Sequence, residues 1–173
     1  MNYAKKMEKI INNNNKDNKV PSLLLHSCCA PCSTSVLEYL SQYFKVTVFF
    51  YNPNIMNEEE YKLRLNEQKR FIEEFNANHP IEIMEGEYVV EDFMSFAENM
   101  KDEKEGGIRC VNCYLLRMNE TAKIASENKF DYFATTLTVS PLKSAEKINE
   151  IGAMLEEKYG VSYLFSDFKK KEG

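Results

Sequence analysis

From Pro21 onward the chain alternates between short runs of leucine, β-branched and aromatic residues and longer segments whose apolar residues recur at helical spacing. This alternation constrains the fold more than any other feature, because strands joined by helical crossovers pair in parallel and the crossovers are right-handed. The runs at 23–26, 46–51, 81–85, 132–137 and 162–165 are apolar enough for burial on both faces, as strands of a parallel sheet require. Between them, segment 58–75 has Asn57 as a candidate N-cap and Glu58–Glu60 where the helix dipole favours acid. It places Tyr61, Leu65, Phe71, Ile72 and Phe75 near one face, and Asn78-His79-Pro80 stops it. Segments 110–128, with Tyr114, Leu115, Met118, Ala122 and Ala125, and 144–159, with Ile148, Ile151 and Leu155, repeat the amphipathic pattern. A further helix is expected over 89–100, followed by a charged loop around Gly106-Gly107.

The expected fold is therefore α/β: a three-layer, Rossmann-like, mostly parallel sheet flanked by helices, in a single domain over 21–173. A length of 173 residues suits one domain. Residues 1–20 are expected to form a flexible N-terminal arm, since an amphipathic stretch from Tyr3 to Ile11 gives way to Asn12–Asn15 and other polar sequence that buries nothing. No apolar run approaches the ~20 residues needed to span a bilayer, and the N-terminus lacks the apolar core of an export signal. Five cysteines, an odd number, are too few for a disulfide scaffold and are expected to be reduced thiols in the cytoplasm. A net charge of −5 argues against a surface that grips nucleic acid everywhere, though a local patch such as Lys169–Lys171 is compatible with it.

In open α/β sheets, ligands bind beyond the carboxyl ends of the strands. There the first strand runs into Ser27-Cys28-Cys29-Ala30-Pro31-Cys32, the second into Asn52-Pro53-Asn54 and the fourth into a polar stretch from Thr135 to Pro141. Cys28, Cys29 and Cys32 sit where a helix is about to start, with Pro31 suited to its first turn, so the dipole and free N–H groups favour thiolates. Cys110 and Cys113 form a second pair with C-x-x-C spacing, again at an expected helix start. An isolated cysteine is usually a small buried hydrophobe, but two tight clusters with ligand spacing point to a metal. A tetrahedral zinc on Cys29, Cys32, Cys110 and Cys113 would leave Cys28 unexplained, whereas adjacent cysteines with a spare suit an iron–sulfur cluster beside a second metal. A thioredoxin-like reading of Cys29 and Cys32 explains neither Cys28 nor the second pair. The alternatives from other classes are thus a zinc-stabilised, non-catalytic module binding RNA or protein, and a thiol oxidoreductase.

The stretches Leu25-His26-Ser27-Cys28-Cys29-Ala30-Pro31-Cys32, Tyr51-Asn52-Pro53-Asn54-Ile55 and Arg109-Cys110-Val111-Asn112-Cys113-Tyr114, in this order, resemble the QueH-type epoxyqueuosine reductases. The likeness continues through Arg117, Phe130-Asp131-Tyr132-Phe133, the stretch from Thr135 to Lys143, and Asp167-Phe168-Lys169-Lys170-Lys171-Glu172-Gly173. It implies an iron-dependent, cobalamin-independent reduction of epoxyqueuosine to queuosine at the wobble position of tRNA anticodons.

The resemblance also implies a 4Fe-4S cluster held by Cys28, Cys29, Cys110 and Cys113, with Cys32 left as a ligand for an additional mononuclear iron. Cys32, Lys143 and Asp131 are the candidate catalytic residues, the last two as proton donors beside Tyr114. Arg109, Arg117 and Lys143 are candidates for tRNA phosphate contacts and Tyr51 for stacking an unpaired base, with core packing of Tyr51 an equal alternative. His26 is read as a hydrogen-bonded core histidine that retains the capacity to ligate the second metal. Family members usually continue past the stretch matching Asp167–Gly173 with a redox-active cysteine pair; this sequence ends at Gly173, so either the chain is truncated or electrons take another route, and an external electron donor is expected.

Overall fold

Leu23, Leu24 and Leu25 are each 0% exposed, so successive side chains, which point to opposite faces of a strand, must both meet packed layers. Each contributes about 1.5–3 kcal/mol relative to an exposed side chain. In the computed structural model, which describes residues 1–75, 77, 79–97 and 108–169, these leucines lie in strand β1 (Ser22–His26) at the centre of a parallel sheet. The other strands are β2 (Lys45–Phe50), β3 (Glu82–Glu85), β4 (Tyr132–Thr135) and β5 (Ser162–Tyr163), in spatial order β3-β2-β1-β4-β5. All pairings are parallel, with Leu25 opposite Val48 on one side and Ala134 on the other. This is the expected α/β architecture.

Helices α5 (Ile108–Glu127) and α6 (Ala145–Tyr159) cover one face, where Tyr114, Met118, Ala122, Ile148 and Leu155 meet Leu24, Phe49 and Phe133. Helices α1 (Tyr3–Lys16), α2 (Ala30–Leu40) and α3 (Glu58–Glu74) cover the other, where Leu23, Leu25, Val46 and Val48 pack against Val36, Leu37, Phe71 and Ile72. The caps follow the sequence: Asn57 Oδ1 accepts from Glu60 N at 3.0 Å, and Ser144 Oγ from Lys147 N at 3.2 Å. Helix α4 (Val90–Ala97) realises the described part of the helix expected over 89–100. The Gly106-Gly107 loop, Asn78, and the tail from Lys170 to Gly173 lie outside the described residues.

Two strands end two residues earlier than their apolar runs. At β4 the Thr135 hydroxyl accepts from Leu137 N at 3.1 Å and Thr136 O from Val139 N at 3.0 Å, which bends Leu137–Val139 into a 3₁₀ turn. After β5, Asn149 Oδ1 accepts from Ser166 N at 3.0 Å and draws the chain off the sheet toward α6. The segment read as an arm carries α1, whose Asn2 cap accepts from Lys5 N at 3.0 Å. Its Met7 and Ile11 are buried beside α2, and Lys6 Nζ stands 3.7 Å above the Phe165 ring. The amphipathic stretch from Tyr3 to Ile11 thus has a sheet face to cover.

Helix α6 crosses β5 with Gly152 directly over the Tyr163 ring, leaving no room for a methyl group there. Tyr163 is fully buried and cannot swing away. Gly152→Ala should therefore destabilise the protein by about 1–3 kcal/mol through overpacking, despite the better helix propensity of alanine. A lower melting temperature, by roughly 2–4 °C per kcal/mol, is the expected result, and a raised one contradicts the packing described.

Candidate metal centre

The strand order reverses at β1, because β2 and β3 lie on one side of it and β4 and β5 on the other. Such a reversal opens a crevice at the carboxyl ends of the two strands that flank it, here β1 and β4. Ser27 N donates to Phe49 O at 3.1 Å and Thr136 N to His26 O at 3.0 Å, so the ladders extend one step into the crevice on both sides. The next residue of the first strand is Cys28. Its N–H lies 3.4 Å from Thr136 Oγ1 and its Sγ 3.7 Å from the same hydroxyl.

Helix α2 begins at once, with extended Cys29 as N-cap and Pro31 in the first turn, where its missing N–H costs nothing. The tight turn gathers the sulfurs of Cys28, Cys29 and Cys32 within 4.8 Å of one another. Hydrogen bonds from the Cys29 and Cys32 thiols, aided by the Thr136 hydroxyl, lower the pKa of the Cys28 thiol from its usual range. The Cys29 and Cys32 thiols are pushed up because each donates to Cys28 and is partly desolvated. Three sulfurs this close together could hold a soft metal, the cation taking the place of thiol protons.

A buried scaffold fixes this turn. Ser27 Oγ donates to Gln68 Oε1 at 2.7 Å, Gln68 Nε2 donates to Ser33 Oγ at 3.1 Å, and Asn52 Nδ2 donates to Ser27 O at 2.9 Å. All four residues are buried. Sequence reasoning missed Gln68, although a signal was present: it continues the apolar stripe of α3 marked by Tyr61 and Leu65, where a polar side chain needs a buried partner.

His26 is fully buried with both ring nitrogens engaged, Nε2 at 3.0 Å from Tyr51 O and Nδ1 at 3.2 Å from Thr135 Oγ1. A carbonyl only accepts, so Nε2 carries the proton and Nδ1 accepts from the threonine hydroxyl. Burial, reinforced by the Arg117 charge, pushes the His26 pKa down to about 4 and keeps the ring neutral. It ties strand ends together and has no nitrogen to spare for a metal.

Cys110 and Cys113 stand in the first two turns of α5, which runs antiparallel to the strands, so its amino end lies at the rim that holds the cysteine turn. Cys110 is half-buried and Cys113 buried, and no cysteine is in a disulfide. Among the described residues, neither sulfur joins a group of three at the spacing of the first trio. One zinc, with Zn–S of about 2.3 Å, holds its sulfurs roughly 4 Å apart.

The remaining candidates separate by position. Lys143 is half-buried in the turn after β4, its N–H donating to Ser140 O at 3.2 Å, on the cysteine side of the sheet. Asp131 precedes β4 at the opposite edge, where its Oδ2 accepts from Ser22 N at 2.9 Å and Ser22 Oγ at 3.2 Å. The length of a strand, roughly 15 Å at 3.3 Å per residue, separates it from the cysteines, and its task is to anchor the start of β1. Tyr51 is 3% exposed, with its hydroxyl donating to Asp92 Oδ2 at 3.0 Å, so it is a core residue and no platform for a base. Tyr114 is buried in the core under α5. Arg117 is 4% exposed and does not reach a phosphate on the surface. The side chain of Arg109 lies outside the described residues. No described helix is long and apolar enough to cross a membrane.

A sequence profile described as "Epoxyqueuosine reductase QueH" matches residues 23–173. The chain is 43% identical over 177 residues to the epoxyqueuosine reductase QueH of Staphylococcus epidermidis, covering 100% of this chain and 74% of that one. For the protein of the same name from Staphylococcus aureus the figures are 41%, 100% and 74%. For that of Streptococcus pyogenes serotype M1 they are 41% over 175 residues, 100% and 69%.

Gln68→Leu, similar in size but unable to hydrogen-bond, should remove the clamp on Ser27 and Ser33 and lower the unfolding free energy by about 1–3 kcal/mol. Urea denaturation measures this, and an unchanged midpoint would mean that the clamp carries no load.

Proposed function

The chain belongs to the epoxyqueuosine reductase QueH family, and from that premise we propose that it reduces epoxyqueuosine in tRNA by means of an iron–sulfur cluster bound to Cys28, Cys29, Cys110 and Cys113. It is an oxidoreductase of queuosine biosynthesis. The observation that supports the metal assignment is the gathering of the Cys28, Cys29 and Cys32 sulfurs at the switch point of the sheet, the edge toward which the amino end of α5 runs. Cys32, the trio member outside that ligand set, is proposed to hold an additional mononuclear iron.

Converting the epoxide to an alkene takes up two electrons and two protons and releases the oxygen as water. A bound 4Fe-4S cluster supplies electrons one at a time, and an iron beside it supplies a Lewis acid. The chain's own residues hold and arrange the rest. The Thr136 hydroxyl orients Cys28 from the β4 side, and the Gln68 clamp fixes the turn from the α3 side. Lys143, on the cysteine side of the sheet, is proposed as the proton donor. Epoxyqueuosine in an anticodon is an unpaired nucleotide, which a protein takes hold of by drawing the base into a pocket at the site. Electrons come from an external donor, and the cytoplasm, where tRNA is modified, is the proposed location.

Anaerobically purified protein should be brown, contain iron and sulfide near four each per cluster, and convert epoxyqueuosine-containing tRNA when given a chemical reductant. Cys110→Ala should lower turnover by more than about 100-fold, the upper range even for outer partners of a metal. A colourless protein with about one zinc, or a Cys110→Ala variant with full activity, would contradict the reading.

A further inference from the structure

Cys110, Cys113 and Arg117 are spaced by three and four residues and so form one stripe along α5. Arg117 is almost wholly buried there, and its Nε donates a long 3.4 Å bond to Cys113 O, in the preceding turn. Among the described residues it forms no ion pair: the five pairs present all use surface lysines and arginines of α3 and the C-terminal segment. A buried guanidinium without an anion is costly, because taking the charge out of water is offset only by a close counter-charge and satisfied N–H groups. The usual partner is a carboxylate. Here the nearby group that feels the Arg117 charge is His26, two residues before Cys28. Among the described residues, the groups that the fold brings to this edge and that would become anions on binding a metal are the cysteines.

We propose that Arg117 is the buried counter-cation of the sulfur site, balancing the negative charge of the cysteine thiolates and the cluster and thereby raising the cluster's reduction potential. This rests on the iron–sulfur reading above. A cluster with thiolate ligands is anionic and becomes more so on reduction, so a fixed positive charge in a low-dielectric surrounding favours the reduced form more strongly. Arg117 acts through the cluster and is a positioning and tuning group, with no contact to substrate assigned. The same logic explains why a cation tolerates burial on the cysteine stripe of α5: loaded protein would supply an anion that the described residues do not.

The test compares Arg117→Lys and Arg117→Met with the parent, each purified anaerobically and assayed for iron, sulfide and midpoint potential, and each also melted after removal of iron. In the loaded state Arg117→Met should make reduction less favourable by at least tenfold, a shift of 59 mV or more to lower potential for a one-electron couple. Arg117→Lys should recover most of that shift because it keeps the charge. Metal-free Arg117→Met should melt no lower than metal-free parent, since an apolar side chain replaces an unpaired cation. An unchanged potential at full iron content, or a marked loss of stability in the metal-free variant, overturns the proposal and assigns Arg117 a purely structural task. Parent protein without iron and sulfide would instead overturn the cluster reading, and with it the anion that Arg117 is proposed to balance.

Discussion

The hydrogen bonds from Ser27 N to Phe49 O and from Thr136 N to His26 O carry the β1 ladders beyond its last residue on both flanks. Everything at the candidate site depends on this pairing. It holds the start of the cysteine turn rigid between two neighbours, and it sets Thr136 beside Cys28, so that a hydroxyl from one strand end orients a sulfur from another. The fully buried His26 completes the junction by bridging Tyr51 O after β2 and Thr135 at the end of β4. Three strand ends are thus fastened to one another directly beneath the sulfurs.

The chemistry follows from what this junction leaves open. A helix that starts immediately after a strand end presents its positive pole and free N–H groups to the crevice, and here the residues at that pole are cysteines. The second cysteine pair arrives on α5 from the far side of the switch point, because a right-handed crossover to β4 must return to the sheet in that direction. Two segments some eighty residues apart in sequence are brought to one rim by topology alone.

Much of this was legible in the chain. Apolar runs located all five strands, Asn57 marked the cap of α3, and cysteine spacing located both sulfur-bearing turns, because each signal is local. His26 was readable as a hydrogen-bonded core residue because it ends a buried strand, whereas the burial of polar helix residues was not, since it depends on partners distant in sequence. Gln68 reads as an ordinary helix residue until Ser27 and Ser33 are placed beside it, and Arg117 reads as a surface cation until α5 is laid on the sheet. The Tyr51 ring packs against Phe49 in the core under α5, and its hydroxyl donates to Asp92 Oδ2 on α4. The place of Asp131 was readable after all: in a parallel sheet a residue that precedes a strand lies at the amino edge, away from any site at the carboxyl ends.

The most direct test of a single centre shared by the two turns is anomalous diffraction at the iron edge from crystals of anaerobically prepared protein. Strong iron density should lie in the crevice between the Cys28–Cys32 turn and the start of α5, within bonding distance of sulfurs from both. Density bonded to the Cys28–Cys32 turn alone, with Cys110 and Cys113 remote from it, would contradict the shared centre.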